Sequence, residues 1–184
     1  MKSQSWLKRA LLILSLSTLT IPFARAEPLS VGKKAPMFQL TNQEGKEFSL
    51  GARAGRGWTV LYYFYPKAGT PGCTTQACAF RDAIQRVRDQ NAEVYGISTD
   101  EVPALADFHQ KHRLNFILLS DPDAKVAEAY GVKMPVLKMA KRWTFIIDPD
   151  LVIRDINNDV DPALDAQVVA ERIRRLRAGG QGRS

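Results

Sequence analysis

Along the chain, apolar residues recur with two spacings, one typical of strands and one typical of helices. In the segment MFQLTNQEGKEFSL, two short alternating stretches flank residues 42–45, which predicts an N-terminal β-hairpin. The run WTVLYYFYP is rich in β-branched and aromatic residues, which is typical of a buried central strand. Over residues 74–88 apolar side chains follow helical spacing, so this strand is expected to lead into a helix. They are Ala77, Phe80, Ile84 and Val87.

The remainder of the chain alternates predicted strands with predicted helices. Strands are predicted at AEVYGIST, FILLS, RWTFIID and LVIRDI, and helices at VPALADFHQKHR, DAKVAEAYG and ALDAQVVAERIRRLR. Alternation of this kind predicts an α/β fold with a mixed central sheet and helices on both faces. No internal repeat or low-complexity linker interrupts it. One domain is therefore expected over residues 27–177, followed by a flexible tail over residues 178–184.

The first 26 residues have the pattern of a secretory signal peptide. A basic start, MKSQSWLKR, precedes a short apolar run, ALLILSLSTL, and small residues stand at the cleavage spacing in Ala24-Arg25-Ala26. The apolar run is short for a permanent membrane anchor, and it contains no cysteine for lipid attachment. We therefore expect cleavage near Ala26, a periplasmic or otherwise exported location, and no stable membrane association afterwards.

The net charge gives little support for a nucleic-acid partner. The chain carries +7, but Lys2, Lys8, Arg9 and Arg25 belong to the predicted signal segment, and subtracting those four leaves +3. The remaining basic residues concentrate in ERIRRLRAGGQGRS, in the last turns of a predicted helix, where they suit the negative end of the helix dipole. A solvated helix face is expected there, without nucleic-acid binding.

Cys73 and Cys78 are the only cysteines, and they stand close together in YPKAGTPGCTTQACAFRD. A metal site would need further ligands, and the only histidines, His109 and His112, lie in a separate polar helical segment that favours solvated side chains. A structural disulfide is common in exported domains, but here it would close a very short loop and so stabilise little.

A reactive thiol pair is the third interpretation, and it has positive support. A cysteine in the first turn of a helix lies beside unpaired backbone N–H groups and the positive dipole end, which stabilise a thiolate over a thiol. The preceding turn, residues 69–72, can bring backbone N–H groups close to a bound oxygen species. Within it, the Thr70 hydroxyl can both donate and accept a hydrogen bond. These features suit attack on an O–O bond.

The same stretch resembles the active-site loop of the peroxiredoxins, in particular the subfamily called bacterioferritin comigratory protein or PrxQ. That family has a Pro-x3-Thr-x2-Cys signature around its peroxidatic cysteine, and Pro66, Thr70 and Cys73 match it. The subfamily's resolving cysteine lies five positions later, at Cys78 here. The segments FRD, YGISTD, LNFILLSDPD and AYGV also match, and RWTFIID nominates Arg142 as the active-site arginine.

The resemblance extends from about residue 31 to residue 176 and implies a thioredoxin-like fold. It implies a thiol-dependent peroxidase for hydrogen peroxide and organic hydroperoxides. Cys73 would become a sulfenic acid, Cys78 would form an intramolecular disulfide with it, and a thioredoxin-like dithiol protein would reduce that bond. Pro66 would shield the thiolate, Thr70 would orient the peroxide and Arg142 would stabilise the charge. No metal or organic cofactor is required, and a monomer is expected.

Two other functions compete with this interpretation. One is an exported thiol–disulfide oxidoreductase, and the other is a non-enzymatic thioredoxin-fold domain with a structural disulfide. Dithiol exchangers use C-x-x-C and copper carriers use C-x3-C with a histidine, and the C-x4-C spacing here matches neither. The segment KMPVLKMAK is short and apolar compared with many peroxiredoxins, and a loop packed on the core, or a surface patch, is favoured over an approach route for organic peroxides.

The spacing of the two cysteines also predicts a conformational change. Residues five apart in an α-helix are separated by about 8.7 Å between Cα atoms. Disulfides seldom tolerate more than about 6.8 Å. We predict that in the reduced protein Cys73 lies in a first helical turn and Cys78 in the same helix, with sulfurs too far apart to bond. The segment from about Thr70 to Phe80 must then unwind before the disulfide can form.

Overall fold

The computed structural model of the chain describes residues 29–63, 68–136 and 139–180. The predicted signal segment, Pro66 and residues 181–184 lie outside these ranges. Within the described ranges, no helix has the length and apolar character needed to cross a membrane. The elements are β1 (Gln39–Asn42), β2 (Glu47–Ser49), a 3-10 turn (Leu50–Arg53), β3 (Trp58–Tyr63), α1 (Pro71–Arg88), β4 (Ala92–Ser98), α2 (Val102–Lys111), β5 (Ile117–Ser120), α3 (Lys125–Ala129), β6 (Thr144–Ile147), β7 (Ile153–Asn157) and α4 (Asp165–Gly180).

The strands of the described residues form one seven-stranded mixed sheet in the order β2-β1-β5-β4-β3-β6-β7. β1 and β2 form the predicted N-terminal hairpin. β3 pairs in parallel with β4 on one side and antiparallel with β6 on the other. Because a parallel pair needs a crossover connection, α1 lies between β3 and β4 in the chain and packs on the sheet. The predicted mixed sheet is confirmed.

Alternate residues of the central strand supply two separate cores, one on each face of the sheet. Val60 and Tyr62 point to the face covered by α1, α2 and α4, where the aromatic ring of Tyr62 stacks on Phe80 at 4.8 Å between centroids. Leu61 points to the opposite face, which is covered by α3 and the hairpin. This alternation follows from the two-residue period of a strand and confirms helices on both faces.

Two helix boundaries differ from the prediction. α1 begins at Pro71 rather than near residue 74, because proline lacks an N–H and has a fixed φ, and both suit the first helical position. α4 continues to Gly180, three residues into the segment predicted as a tail from residue 178. Periodicity gives no signal beyond Leu176, the last large apolar residue of this helix, so the sequence placed its end too early.

The side-chain environment of the two histidines also differs from the prediction. His109 and His112 are half-buried rather than solvated, because α2 packs against the sheet. Nε2 of His109 lies 3.1 Å from the carbonyl oxygen of Phe116, and the His112 ring lies 4.7 Å from that of Phe108. In the KMPVLKMAK segment, Val136 is 91% exposed, which at this residue agrees with a surface patch, one of the two predicted alternatives.

Candidate active site

The N-terminus of α1 places one thiol at the start of a helix. Thr70 is the N-cap residue, with an extended backbone, and Pro71 occupies the first helical turn. The Thr74 N–H donates to the Thr70 carbonyl oxygen at 2.9 Å, which closes the first turn. Cys73 lies within that turn, beside the positive end of the helix dipole, as predicted. The Thr70 hydroxyl makes no capping hydrogen bond to the helix.

Arg142 reaches this turn from the segment just before β6, the strand that pairs antiparallel with β3. Its Nη1 donates to the Gly72 carbonyl oxygen at 3.1 Å and to Oε1 of Gln76 at 2.7 Å. Its Nη2 lies 3.9 Å from Sγ of Cys73. Cys73 is wholly buried, and a positive charge acts more strongly on a neighbouring thiolate where water is excluded. The fold therefore brings together Cys73 and the arginine that the resemblance nominated.

Gln76 is a site residue that the sequence analysis did not identify. It lies one turn beyond Cys73 on the same helix and is wholly buried. Its oxygen accepts from Arg142, and its Nε2 donates to Oδ2 of Asp165 at 2.8 Å. Its position in the sequence could have indicated this role, because the amide side chain of Gln76 lies on the apolar face of the helix with Ala77 and Phe80. Such a residue is buried only with hydrogen-bond partners.

Asp100 anchors the loop that precedes the helix. Its Oδ2 accepts a hydrogen bond from the Ala68 N–H at 2.8 Å and another from the hydroxyl of Ser98. Ser120, at the end of the neighbouring parallel strand, donates its hydroxyl to the Asp100 carbonyl oxygen at 2.7 Å. The site therefore lies at the carboxyl ends of two parallel strands, where open α/β sheets commonly place ligands. The sequence signal was the polar run Ser98-Thr99-Asp100, which begins at the last residue of β4.

The second thiol lies on the same helix. Cys78 is half-buried, and both cysteines are free thiols in this structure. Both belong to α1, Pro71–Arg88, as the sequence analysis anticipated. Regular helical geometry then separates their Cα atoms by about 8.7 Å, with side-chain directions about 140° apart. The intact helix keeps the two sulfurs from bonding, because disulfides seldom span more than about 6.8 Å between Cα atoms.

The helix is tied to the rest of the molecule immediately after Cys78. Nη1 of Arg81 donates to the His112 carbonyl oxygen at 2.8 Å, and Nδ2 of Asn115 donates to the Arg81 carbonyl oxygen at 3.1 Å. These bonds join α1 to the connection between α2 and β5. The part of α1 that carries the cysteines and the part that is tethered therefore meet at about Phe80.

The Tyr62 side chain is wholly buried and lies close enough to both cysteines to interact with them electrostatically. Burial raises the pKa of its phenol well above the ordinary value, and negative charge on Cys73 or Asp165 would raise it further. The phenol therefore stays protonated throughout the working pH range.

Among the predicted site residues, Cys73, Thr70 and Arg142 converge on the first turn of α1, Cys78 follows on the same helix, and Pro66 lies outside the described residues. In the described part of the chain, no group of His, Cys, Asp or Glu side chains could hold a metal ion.

Comparison with known proteins assigns this fold and site to a class. Residues 31–156 match the AhpC/TSA family, and the chain belongs to that family. Its fold is the thioredoxin-like fold of the peroxiredoxins. The class is that of thiol-dependent peroxidases, which act through peroxidatic and resolving cysteines, and this chain is an enzyme of that class.

Individual relatives narrow the class to a subfamily. Peroxiredoxin Bcp of Escherichia coli (strain K12) is 43% identical over 138 residues, which cover 72% of this chain and 87% of that protein. The crystal structure of peroxidoxin BcpB from Mycobacterium tuberculosis has a TM-score of 0.75 and 35% identity, covering 80% of this chain and 98% of that one. A structure of the bacterioferritin comigratory protein of Xanthomonas campestris, from work on its alkyl peroxide reduction activity, has a TM-score of 0.71 and 28% identity, covering 76% and 91%. The resemblance to the bacterioferritin comigratory protein, or PrxQ, peroxiredoxins is confirmed.

Proposed function

We propose that Cys73 is the peroxidatic cysteine, that Cys78 is the resolving cysteine, and that the two form an intramolecular disulfide in each turnover. One observation carries this assignment. Cys73 lies in the first turn of α1 with Arg142 Nη2 at 3.9 Å, whereas Cys78 lies farther along the same helix, beyond that turn. Only Cys73 has both the helix dipole and the guanidinium to stabilise a thiolate.

In the first step, the Cys73 thiolate attacks one peroxide oxygen and the O–O bond breaks. The sulfur is oxidised to a sulfenic acid, and the leaving oxygen takes up a proton and departs as an alcohol, or as water when the substrate is hydrogen peroxide. The guanidinium of Arg142 and the N–H groups of the loop stabilise the charge that moves onto oxygen. Thr70 orients the peroxide from the N-cap position, and Pro66 shields the thiolate from water.

In the second step, the Cys78 thiol displaces hydroxide from the sulfenic acid, so that one water is released and the disulfide forms. An external dithiol then reduces the disulfide by two successive exchanges and is itself oxidised to a disulfide. A small thioredoxin-like protein is the proposed reductant. No metal or organic cofactor takes part in any step, and the enzyme acts as a monomer.

Hydrogen peroxide and organic hydroperoxides are the proposed substrates. Membership of the family implies a peroxide substrate and a thiol reductant. The alkyl peroxide reduction activity named for the Xanthomonas campestris relative supports the inclusion of organic hydroperoxides. Nucleic acid has no place among the proposed partners.

Single-turnover oxidation of the purified chain tests the roles of the two thiols. Cys78→Ser should consume one equivalent of peroxide rapidly and accumulate a sulfenic acid on Cys73, which dimedone labelling and mass spectrometry would locate. Cys73→Ser should consume none. With a generic dithiol as reductant, the wild-type enzyme should turn over repeatedly, whereas Cys78→Ser should stall, or continue slowly where the small thiol reduces its sulfenic acid. Equal loss of the first oxidation step in both variants would overturn the assignment.

We also propose that the enzyme is exported, with cleavage near Ala26 and no stable membrane association afterwards. The basic start, the short apolar run and the small residues at the cleavage spacing support this location. Expression of the full chain in a bacterium, followed by osmotic shock and N-terminal sequencing, tests it. A protein that starts at Glu27 in the periplasmic fraction is expected. A protein that keeps its first 26 residues and stays with the cytoplasm would contradict export.

A further inference from the structure

Asp165, the first residue of α4, is a buried carboxylate that touches two elements of the active site. It is 1% exposed. Its Oδ2 accepts from Nε2 of Gln76 on α1 at 2.8 Å and from the hydroxyl of Thr144 on β6 at 2.7 Å. Thr144 stands two residues after Arg142, and Gln76 holds the Arg142 guanidinium directly. One carboxylate oxygen thus binds both Gln76, which contacts the guanidinium, and Thr144, which lies two residues from Arg142 in the chain.

The chemistry of these groups fixes the orientation of the Gln76 amide. A guanidinium has donors only, and an ionised carboxylate has acceptors only. The Gln76 side chain lies between the two, so its oxygen must face Arg142 and its NH2 group must face Asp165. If the amide rotated by half a turn, two donors would meet at Arg142 and two acceptors at Asp165. Each would be a buried repulsive contact.

Loss of the carboxylate would leave the buried Gln76 NH2 group and the Thr144 hydroxyl without their common acceptor. The Gln76 side chain would then no longer be held at both ends, and it could move away from the guanidinium to find another partner for its NH2 group. Of the two oxygen atoms on α1 that accept from Arg142, only the Gly72 carbonyl oxygen, at 3.1 Å, would stay fixed. A small displacement of a group that stabilises developing charge is costly, because catalysis depends on its preorganised position.

We infer that Asp165 is a positioning residue for peroxide reduction, which acts through Gln76 and Thr144 to hold the Arg142 guanidinium against Cys73. Asp165 does not touch the reacting sulfur and donates no proton to the peroxide. Its contribution is geometric and requires an acceptor at the position of Oδ2. This role rests on the proposed assignment of Cys73 as the peroxidatic thiol.

Three variants separate positioning from general stability. Asp165→Ala removes the acceptor. Asp165→Asn keeps an oxygen for Gln76 and Thr144 and serves as the conservative rescue. Val169→Ala is the matched control, because Val169 is 1% exposed one turn farther along α4, in the same core, and lies outside the hydrogen-bonded chain. For each protein, the melting temperature, the single-turnover rate with hydrogen peroxide and the pH dependence of Cys73 alkylation are measured on a Cys78→Ser background.

Asp165→Ala should slow the peroxide reaction roughly 10- to 100-fold, the scale expected when a catalytic group is misplaced by about 1 Å. Its alkylation curve should move to higher pH, because the thiolate loses a correctly held guanidinium. Asp165→Asn should recover most of the rate, and Val169→Ala should keep the rate and the curve within about twofold despite a lower melting temperature.

The inference is overturned if Asp165→Ala matches Val169→Ala in rate and alkylation curve, or if Asp165→Asn is as slow as Asp165→Ala. Failure of the proposed function would look different. In that case the parent protein with Asp165 intact would itself show no peroxide-dependent loss of the Cys73 thiol, and the comparison among variants would not arise.

Discussion

A Cβ atom at position 72 would lie 2.8 Å from Nη2 of Arg142. The absence of a side chain at Gly72 therefore lets the guanidinium lie directly on the first turn of α1. There it bonds the Gly72 carbonyl oxygen at 3.1 Å and approaches Cys73. The Gly72 backbone is helical, a conformation that any residue can adopt. Glycine is therefore required here by the close approach of the guanidinium and not by its backbone conformation.

Gly72→Ala should separate the arginine from the thiol without unfolding the helix, because alanine is a better helix former than glycine. We expect a fall in the single-turnover peroxide rate of roughly tenfold or more, from displacement of the guanidinium. Stopped-flow measurement of Cys73 oxidation checks this. Gly179→Ala is the matched control, because a Cβ atom there would meet nothing within 4 Å. An unchanged rate in Gly72→Ala would show that Arg142 can shift without cost.

Arg142→Lys should be almost as damaging as Arg142→Ala. A lysine ammonium is a single point donor and cannot reach Gly72, Gln76 and the sulfur in the planar arrangement of a guanidinium. Both variants should lower the peroxide rate by roughly two orders of magnitude, as for loss of a preorganised charge-stabilising donor. Both should also move the alkylation curve of Cys73 to higher pH. Arg175→Ala, at an exposed position on α4, is the control, and a curve unmoved in both Arg142 variants would remove the arginine from the site.

Disulfide formation should unwind α1 from about Thr70 to Phe80 and stop there. The tethers of Arg81 to His112 and Asn115 hold the remainder of the helix in place. Hydrogen exchange followed by mass spectrometry should show faster exchange over residues 70–80 in the oxidised protein, with the central sheet protected in both states. Equal protection of this segment in the reduced and oxidised proteins would contradict an intramolecular switch.

The stability of Asp165→Asn relative to the wild type should depend on pH. Burial raises the pKa of Asp165, while hydrogen bonds from Thr144 and Gln76 act in the opposite direction. A carboxyl with a raised folded-state pKa stabilises the fold fully below its unfolded pKa, about 3.9, and this contribution is lost as the pH rises through the folded pKa. Because asparagine cannot ionise, the variant should gain stability relative to the wild type as the pH rises above the unfolded pKa.

Urea denaturation below the unfolded pKa and at neutral pH measures the difference. Asp159→Asn, at an exposed position, provides the control for loss of a carboxylate without burial. A relative stability of Asp165→Asn that falls as the pH rises would mean that the ionised carboxylate is favoured in the fold.

The periodicity of apolar residues was sufficient to predict the strand and helix order, because strands and helices that pack on a sheet show different apolar spacings. The local motif around Cys73 was sufficient to predict that Cys73 lies in the first turn of a helix and that Cys78 lies on the same helix. Gln76 and Asp165 could not be paired from the sequence, because 89 positions separate them and only the packing of α4 on α1 joins them. Leu151 likewise has a φ of +59°, in a turn whose geometry depends on hydrogen bonds to the buried carboxylate of Asp148.

The two acceptors that hold Arg142 on α1, Gly72 and Gln76, belong to the stretch of helix that disulfide formation would unwind. An enzyme that resolves by this route dismantles its own peroxide site with every turnover. In the oxidised form, the arginine and the thiol would no longer be assembled to bind a second peroxide. The disulfide form would therefore not react with peroxide until its reductant had acted. Rebuilding about three turns of helix would then be the event that readmits substrate. The refolding of α1 would therefore stand beside the chemistry on sulfur among the steps that limit the rate of the cycle.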